Sequence, residues 1–243
     1  MADLPLVLLP GMMCDARLFA PQVAALSADR EVRVLPIADH DTTAALARAV
    51  LDAAPHRFAL GGLSMGGIVA MEVAALAPER IAGLCLMDTN PRAEAAEVAA
   101  RREPQIERVR ASHLRAVMRD EMKPNYLAPG PDRAAVLDLC MAMAESLGPD
   151  VFVRQSRALQ TRADRRDTLR GLTVPSLVLC GRDDTLCPLH RHTEMADLLP
   201  DAELVVIDGA GHLPVLERPK ATNAAVAAWL GRVGGRSSRG EDG

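Results

Sequence analysis

Short and nearly continuous runs of Val, Leu and Ile recur along the chain, at residues 4–9, 32–35, 58–61, 81–87, 176–180 and 204–207. Runs of that length without polar alternation suit strands covered by helices on both faces. Between them lie longer stretches whose apolar positions recur three and four residues apart. These predict helices at 16–27, 42–53, 65–77, 189–199 and 219–230. In the last of them Ala221, Ala224, Ala225, Ala228 and Trp229 form one stripe that should dock on the sheet. Strand and helix in alternation predict an α/β fold with a doubly wound, mostly parallel six-stranded sheet.

The alternation breaks once. Between Asp88 and Thr173 helical patterns continue without a convincing strand, and Pro91, Pro104, Pro124, Pro129, Pro131 and Pro149 should divide the stretch into short helices. It is expected to be an inserted helical lid over the strand ends. The implied organisation is a core of residues 1–90 and 168–232, a lid of residues 91–167 and a disordered tail at 233–243. The glycine, serine and charge of that tail leave it little to bury.

Composition narrows the function classes. In 243 residues, 49% are apolar and 25% charged, which is enough for a sizeable core, and the net charge is −4 with no basic run able to follow a phosphate backbone. Nucleic acid is therefore not expected as a partner. Aromatic residues make up only 2%, so a binding pocket should be aliphatic and thioether in character. The five cysteines are scattered, without a C-x-x-C pair, and read as reduced thiols of a cytoplasmic protein. The N-terminal apolar run is short for a signal peptide and nothing approaches a membrane span. A small-molecule substrate is the expected partner, taken up by a monomer or homodimer.

After the third predicted strand stands Gly62-Leu63-Ser64-Met65-Gly66-Gly67. With 17 glycines in the chain, chance supplies about 0.04 copies of G-x-S-x-G, and fewer between a strand and a helix. In such a turn the serine hydroxyl is presented above the sheet, and side chains two positions to either side would clash. The N–H of Met65, in the first helical turn, is then free to hold an oxyanion. Phosphate-loop spacings are absent, and no lysine lies nearby.

A serine nucleophile needs a histidine base and an acid behind it. Asp183 and Asp184 follow the fifth predicted strand, His212 follows the sixth in Gly209-Ala210-Gly211-His212-Leu213-Pro214, and Asp88 ends the fourth. All stand at carboxyl ends of strands, which in an open parallel sheet line one crevice. His190 and His192 fall in a helix expected to be exposed.

The order serine, acid, histidine on successive strand ends resembles the α/β-hydrolase family over about residues 4–231. Its acid commonly stands in a G-x-x-D pattern with proline four residues on, which fits Gly181, Asp184 and Pro188. That resemblance favours Asp184, with Asp183 and Asp88 as alternatives. It also implies a second oxyanion donor after the first strand, by position the N–H of Met12, although the usual His-Gly is replaced by Leu9-Pro10-Gly11-Met12. The family's N-terminal antiparallel hairpin is not expected here. Expected substrate contacts are Met13, Leu63, Tyr126 and Leu213. Lid methionines serve equally well as packing residues, and 152–167 reads as a solvated helix without a chemical role. The expected activity is hydrolysis of a small carboxylic ester, lactone or thioester, without metal or organic cofactor. The same residues would serve a C–C bond hydrolase, a cofactor-free haloperoxidase, an eliminating synthase or a receptor-like member with little turnover.

Overall fold

The structure is a computed structural model that describes residues 4–123 and 126–237. Six strands, β1 (Leu6–Leu9), β2 (Val32–Val34), β3 (Phe58–Leu63), β4 (Ile81–Met87), β5 (Ser176–Gly181) and β6 (Ala202–Ile207), form one sheet in the order β2-β1-β3-β4-β5-β6. Every pairing between neighbours is parallel. The doubly wound parallel sheet expected from the sequence is present.

Although its strands are continuously apolar, the sheet still sorts its residues by face. Val7, Leu9, Leu60, Leu84, Leu86 and Val178 pack into one core, and Leu6, Leu8, Ala59, Cys85, Leu177 and Leu179 into the other. The first core is closed by Leu46, Ala47 and Val50 of α2 (Thr43–Ala53), by Val69 and Val73 of α3 (Met65–Leu76) and by Met195, in a helix after β5. The second is closed by Leu26 of α1 (Ala20–Leu26), preceded by a short 3-10 turn at Ala16–Phe19, and by Val226, Trp229 and Leu230. The central strands are buried throughout, whereas the outer strands β2 and β6 are mostly half-buried.

Between β4 and β5 the chain is helical. It runs through α4 (Ala96–Arg108), a π-helical turn at Val109–His113, the single turn α5 (Leu114–Ala116), a second π-helical turn at Val117–Met122, the long α6 (Arg133–Gln160) and α7 (Arg166–Gly171). One expectation about proline needs correction. Pro104 lies inside α4 without ending it; its ring is exposed, so water can reach the carbonyl left unbonded. At Pro149 the helix is divided as expected, Gly148 before it taking φ +81° and kinking α6. The expected break at Pro124 lies outside the described residues.

After β5 come α8 (Leu189–Leu198), then α9 (Pro214–Glu217) and α10 (Pro219–Ser237). Helix α10 also corrects the expected tail: it continues to Ser237, and Val233 is 1% exposed against the sheet. Burial of Val233 and Trp229, whose indole N–H donates to the Pro175 carbonyl at 2.9 Å, extends the helix past its last glycine-free turn. Residues 238–243 lie outside the described residues. Among the described residues no helix is long and apolar enough to cross a membrane.

Candidate active site

The carboxyl ends of β1, β3, β4, β5 and β6 open into one cleft. Ser64 caps α3 directly after β3 with φ 55° and ψ −115°, a backbone geometry that costs free energy for any residue with a side chain. Met13 after β1 and Asp88 after β4 also have positive φ, so backbone strain gathers at these strand ends. Close approach explains the glycines around Ser64. A Cβ on Gly62 would meet the Gly66 carbonyl oxygen at 2.3 Å, and one on Gly66 would meet the Leu9 carbonyl oxygen at 2.0 Å.

His212 is held by its own loop. Its backbone N–H donates to the Tyr126 carbonyl at 2.6 Å, and its ring meets that of Tyr126 edge-on with centroids 5.2 Å apart. The Lys123 ammonium lies 4.2 Å from the centroid of the same Tyr126 ring. The Glu217 carboxylate accepts from the N–H groups of Gly211 and Leu213, each at 3.0 Å, and from Ala128 at 2.8 Å. One carboxylate therefore ties the histidine loop to the helical segment above it.

Asp184 is the acid that meets the histidine: its Oδ2 lies 2.8 Å from His212 Nδ1. Its other oxygen accepts from Leu186 N–H at 2.8 Å and Cys187 N–H at 3.1 Å. Burial pushes this carboxyl's pKa up, but the charge of His212 and the hydrogen bonds from His212, Cys187 and Leu186 outweigh it and hold it below the usual value. Asp183 is exposed. Asp88 is fully buried, accepts from Gly181 N–H at 2.9 Å, and is driven well above the ordinary carboxyl range by burial and then by the charge of Asp184.

Met12 and Met65 line the same cleft as Ser64. The neighbouring Met13 N–H is already used, donating to Gln155 Oε1 at 2.8 Å, while Gln155 Nε2 donates to the Ile37 carbonyl at 2.9 Å. Gln155 thus fixes the turn after β1 from the far side. It lies in the stretch read as a solvated helix, and that expectation is corrected: Phe152, Gln155, Ser156 and Leu159 recur at helical spacing as a buried face. That spacing was the available signal. Glu217 gave none, because one acidic residue near a helix start is unremarkable.

His192 also departs from expectation. It is fully buried, and its Nε2 accepts from Thr89 N–H at 3.2 Å, while the Thr89 hydroxyl donates to the Ser64 carbonyl at 2.7 Å. Burial pushes its pKa down to about 4. Its folded pKa lies below the unfolded value of about 6.5, so its stabilising contribution is present above that value and is lost as pH falls towards 4. Wild type should lose about 2 kcal/mol from this group between pH 7 and pH 5. His192→Gln, which keeps an acceptor for Thr89, should lose less in urea unfolding at the two pH values; equal losses would contradict the assignment.

The cleft has a volume of about 850 Å³ and is lined by Ser64, His212, Met12, Met65, Tyr126 and residues of the helical segment. Of the expected substrate contacts only Tyr126 is among them. Met13, Leu63 and Leu213 are packed into the hydrophobic cores and do not line the cleft. The lining is also less aliphatic than expected, since Arg92, Arg101, Arg102, Arg162, Arg166 and Arg191 all reach it. Among the described residues, Asp184, Cys187 and His212 are the one His/Cys/carboxylate group whose donor atoms fall within 4.8 Å of one another. Asp184 and His212 already satisfy each other there.

Residues 6–225 match the alpha/beta hydrolase family. The chain belongs to that family. A pimeloyl-[acyl-carrier protein] methyl ester esterase of Klebsiella pneumoniae is 29% identical over 73% of this chain and 71% of its own. Among solved structures, a thermophilic esterase from Thermogutta terrifontis in its malate-bound form is similar with a TM-score of 0.87 and 30% identity, over 96% of this chain and 91% of that one. The enol-lactonase from Burkholderia xenovorans LB400 is similar with a TM-score of 0.85 and 26% identity, over 94% of this chain and 91% of that one. This alpha/beta hydrolase is an enzyme with the fold of its family.

Proposed function

We propose that this alpha/beta hydrolase cleaves a small carboxylic ester, lactone or thioester through a Ser64-His212-Asp184 triad and an acyl-enzyme. The observation that carries it is the 2.8 Å contact between His212 Nδ1 and the ionised Asp184, in the cleft that also holds Ser64 at its strained turn. With Nδ1 donating to Asp184, His212 Nε2 is left as the base. It takes the proton of Ser64 as the hydroxyl oxygen attacks the carbonyl, and Asp184 stabilises the imidazolium formed.

The N–H groups of Met12 and Met65 hold the oxyanion of the tetrahedral intermediate; removing one such donor costs on the order of 3 kcal/mol. Collapse expels the alcohol or thiol, which takes the proton from His212. Water then attacks the acyl-enzyme with the same base, releasing the acid and free Ser64. Esterase and enol-lactonase relatives support this choice of reaction. Purified protein should hydrolyse short-chain p-nitrophenyl esters, and Ser64→Ala should remove that activity. Equal turnover by the variant would place the chemistry elsewhere.

A further inference from the structure

Charge is unevenly matched on the wall of the cleft facing Met12. Glu94 is almost wholly buried, its side chain 2% exposed, and it serves two arginines at once. Arg102 donates to Glu94 Oε1 from Nε at 2.8 Å and from Nη2 at 2.6 Å; Arg162 approaches Oε2 at 3.1 Å and donates from Nε to the Arg92 carbonyl at 3.0 Å. Both guanidinium groups are themselves largely buried, at 13% and 11% exposed. One carboxylate for two permanent cations leaves a net positive charge in a poorly hydrated place. Besides Glu94, the side chains acting on Arg162 are the thiol of Cys187 and the cations Arg102 and Arg191.

The surplus points into the cleft. Among the described residues, Arg102 Nη1 has as its partner only the thioether of Met12, at 3.9 Å, and a thioether is a weak acceptor. Met12 is also the residue whose N–H is assigned to the oxyanion, so this donor edge meets the side chain of a residue in the proposed site. Arg102, Arg162, Glu94 and Met12 all line the cleft that holds Ser64.

We propose that the substrate carries a carboxylate, separate from the bond that is cleaved, and that Arg102 and Arg162 bind it with the charge Glu94 leaves uncompensated. This rests on the hydrolase reading above and names its substrate class. A singly charged carboxylate balances the site. A dianionic phosphate would leave excess negative charge beside Asp184 and the developing oxyanion, and so is disfavoured.

The test compares kcat/KM within matched pairs: p-nitrophenyl half-esters of succinic, glutaric and adipic acid against their methyl-capped diesters, and 4-acetoxybenzoate against its methyl ester. In at least one pair the anion should be favoured by about ten- to a hundred-fold, the range of a charge-assisted hydrogen bond. Arg102→Met should bring that ratio close to one and Arg102→Lys should restore part of it. Arg102→Met leaves Glu94 and Arg162 as a matched pair, so no unpaired buried charge threatens the fold. As a readout independent of turnover, calorimetry on Ser64→Ala should show monomethyl glutarate binding more tightly than dimethyl glutarate.

Equal kcat/KM in every pair together with equal binding would overturn the proposal while neutral esters still turned over. If no ester were hydrolysed and Ser64 proved unreactive, the hydrolase reading would fail instead, and the calorimetry would still decide whether a carboxylate binds.

Discussion

Asp184→Asn should lower kcat for ester hydrolysis by a factor on the order of 10⁴ with little change in folding. The asparagine amide oxygen can still accept from the N–H groups of Leu186 and Cys187, so the turn after β5 keeps its hydrogen bonds. Its NH₂ group then faces His212 Nδ1, which must accept instead of donate. The proton moves to Nε2, and the imidazole can no longer take the proton of Ser64. The matching change at exposed Asp183 should leave kcat unchanged. Steady-state kinetics and a melting curve on the two variants check both statements; similar losses from both would remove Asp184 from its role.

Gly66→Ala should be among the most damaging small substitutions in the molecule, alongside Gly181→Ala. The added methyl would lie 2.0 Å from the Leu9 carbonyl oxygen and 2.7 Å from that of Pro10, both backbone atoms of β1 and the turn that follows it. A flexible side chain could swing away, but here α3 and β1 must separate. Overpacking of this kind costs on the order of 1–3 kcal/mol, which for a chain of this length lowers Tm by roughly 2–12 °C. Displacing the turn also moves Met12 away from Ser64, so activity should fall further than stability alone explains. Gly171→Ala, whose methyl would have no heavy atom within 4 Å, provides the comparison and should melt within a degree or two of wild type. Similar melting of the two variants would contradict the close approach.

What was legible in the sequence follows from where each signal resides. Strand runs and G-x-S-x-G are local, because a buried strand must be apolar along its whole length and a tight turn must be glycine on both sides. The partnership of Asp184 with His212 needed the family resemblance to choose between adjacent aspartates. Other parts of the site depend on contacts distant in sequence. Gln155 meets Met13 across the fold, Glu217 reaches Ala128, and Arg102 shares Glu94 with Arg162. Polar side chains at such positions look like solvated surface until the fold buries them. His192 was misplaced for the same reason: two residues along the helix from exposed His190, it turns inward to Thr89. Met13, Leu63 and Leu213 erred in the other direction, since apolar residues next to a catalytic motif serve the core as readily as the pocket.

The central claim is that the fold activates one serine hydroxyl. The most direct measurement is intact-mass detection of a fluorophosphonate adduct on wild type and on Ser64→Ala, with the modified peptide sequenced. The account predicts one adduct per wild-type chain, located on Ser64 and missing from the variant. An unlabelled wild type, or an adduct that persists when Ser64 is replaced, would contradict it.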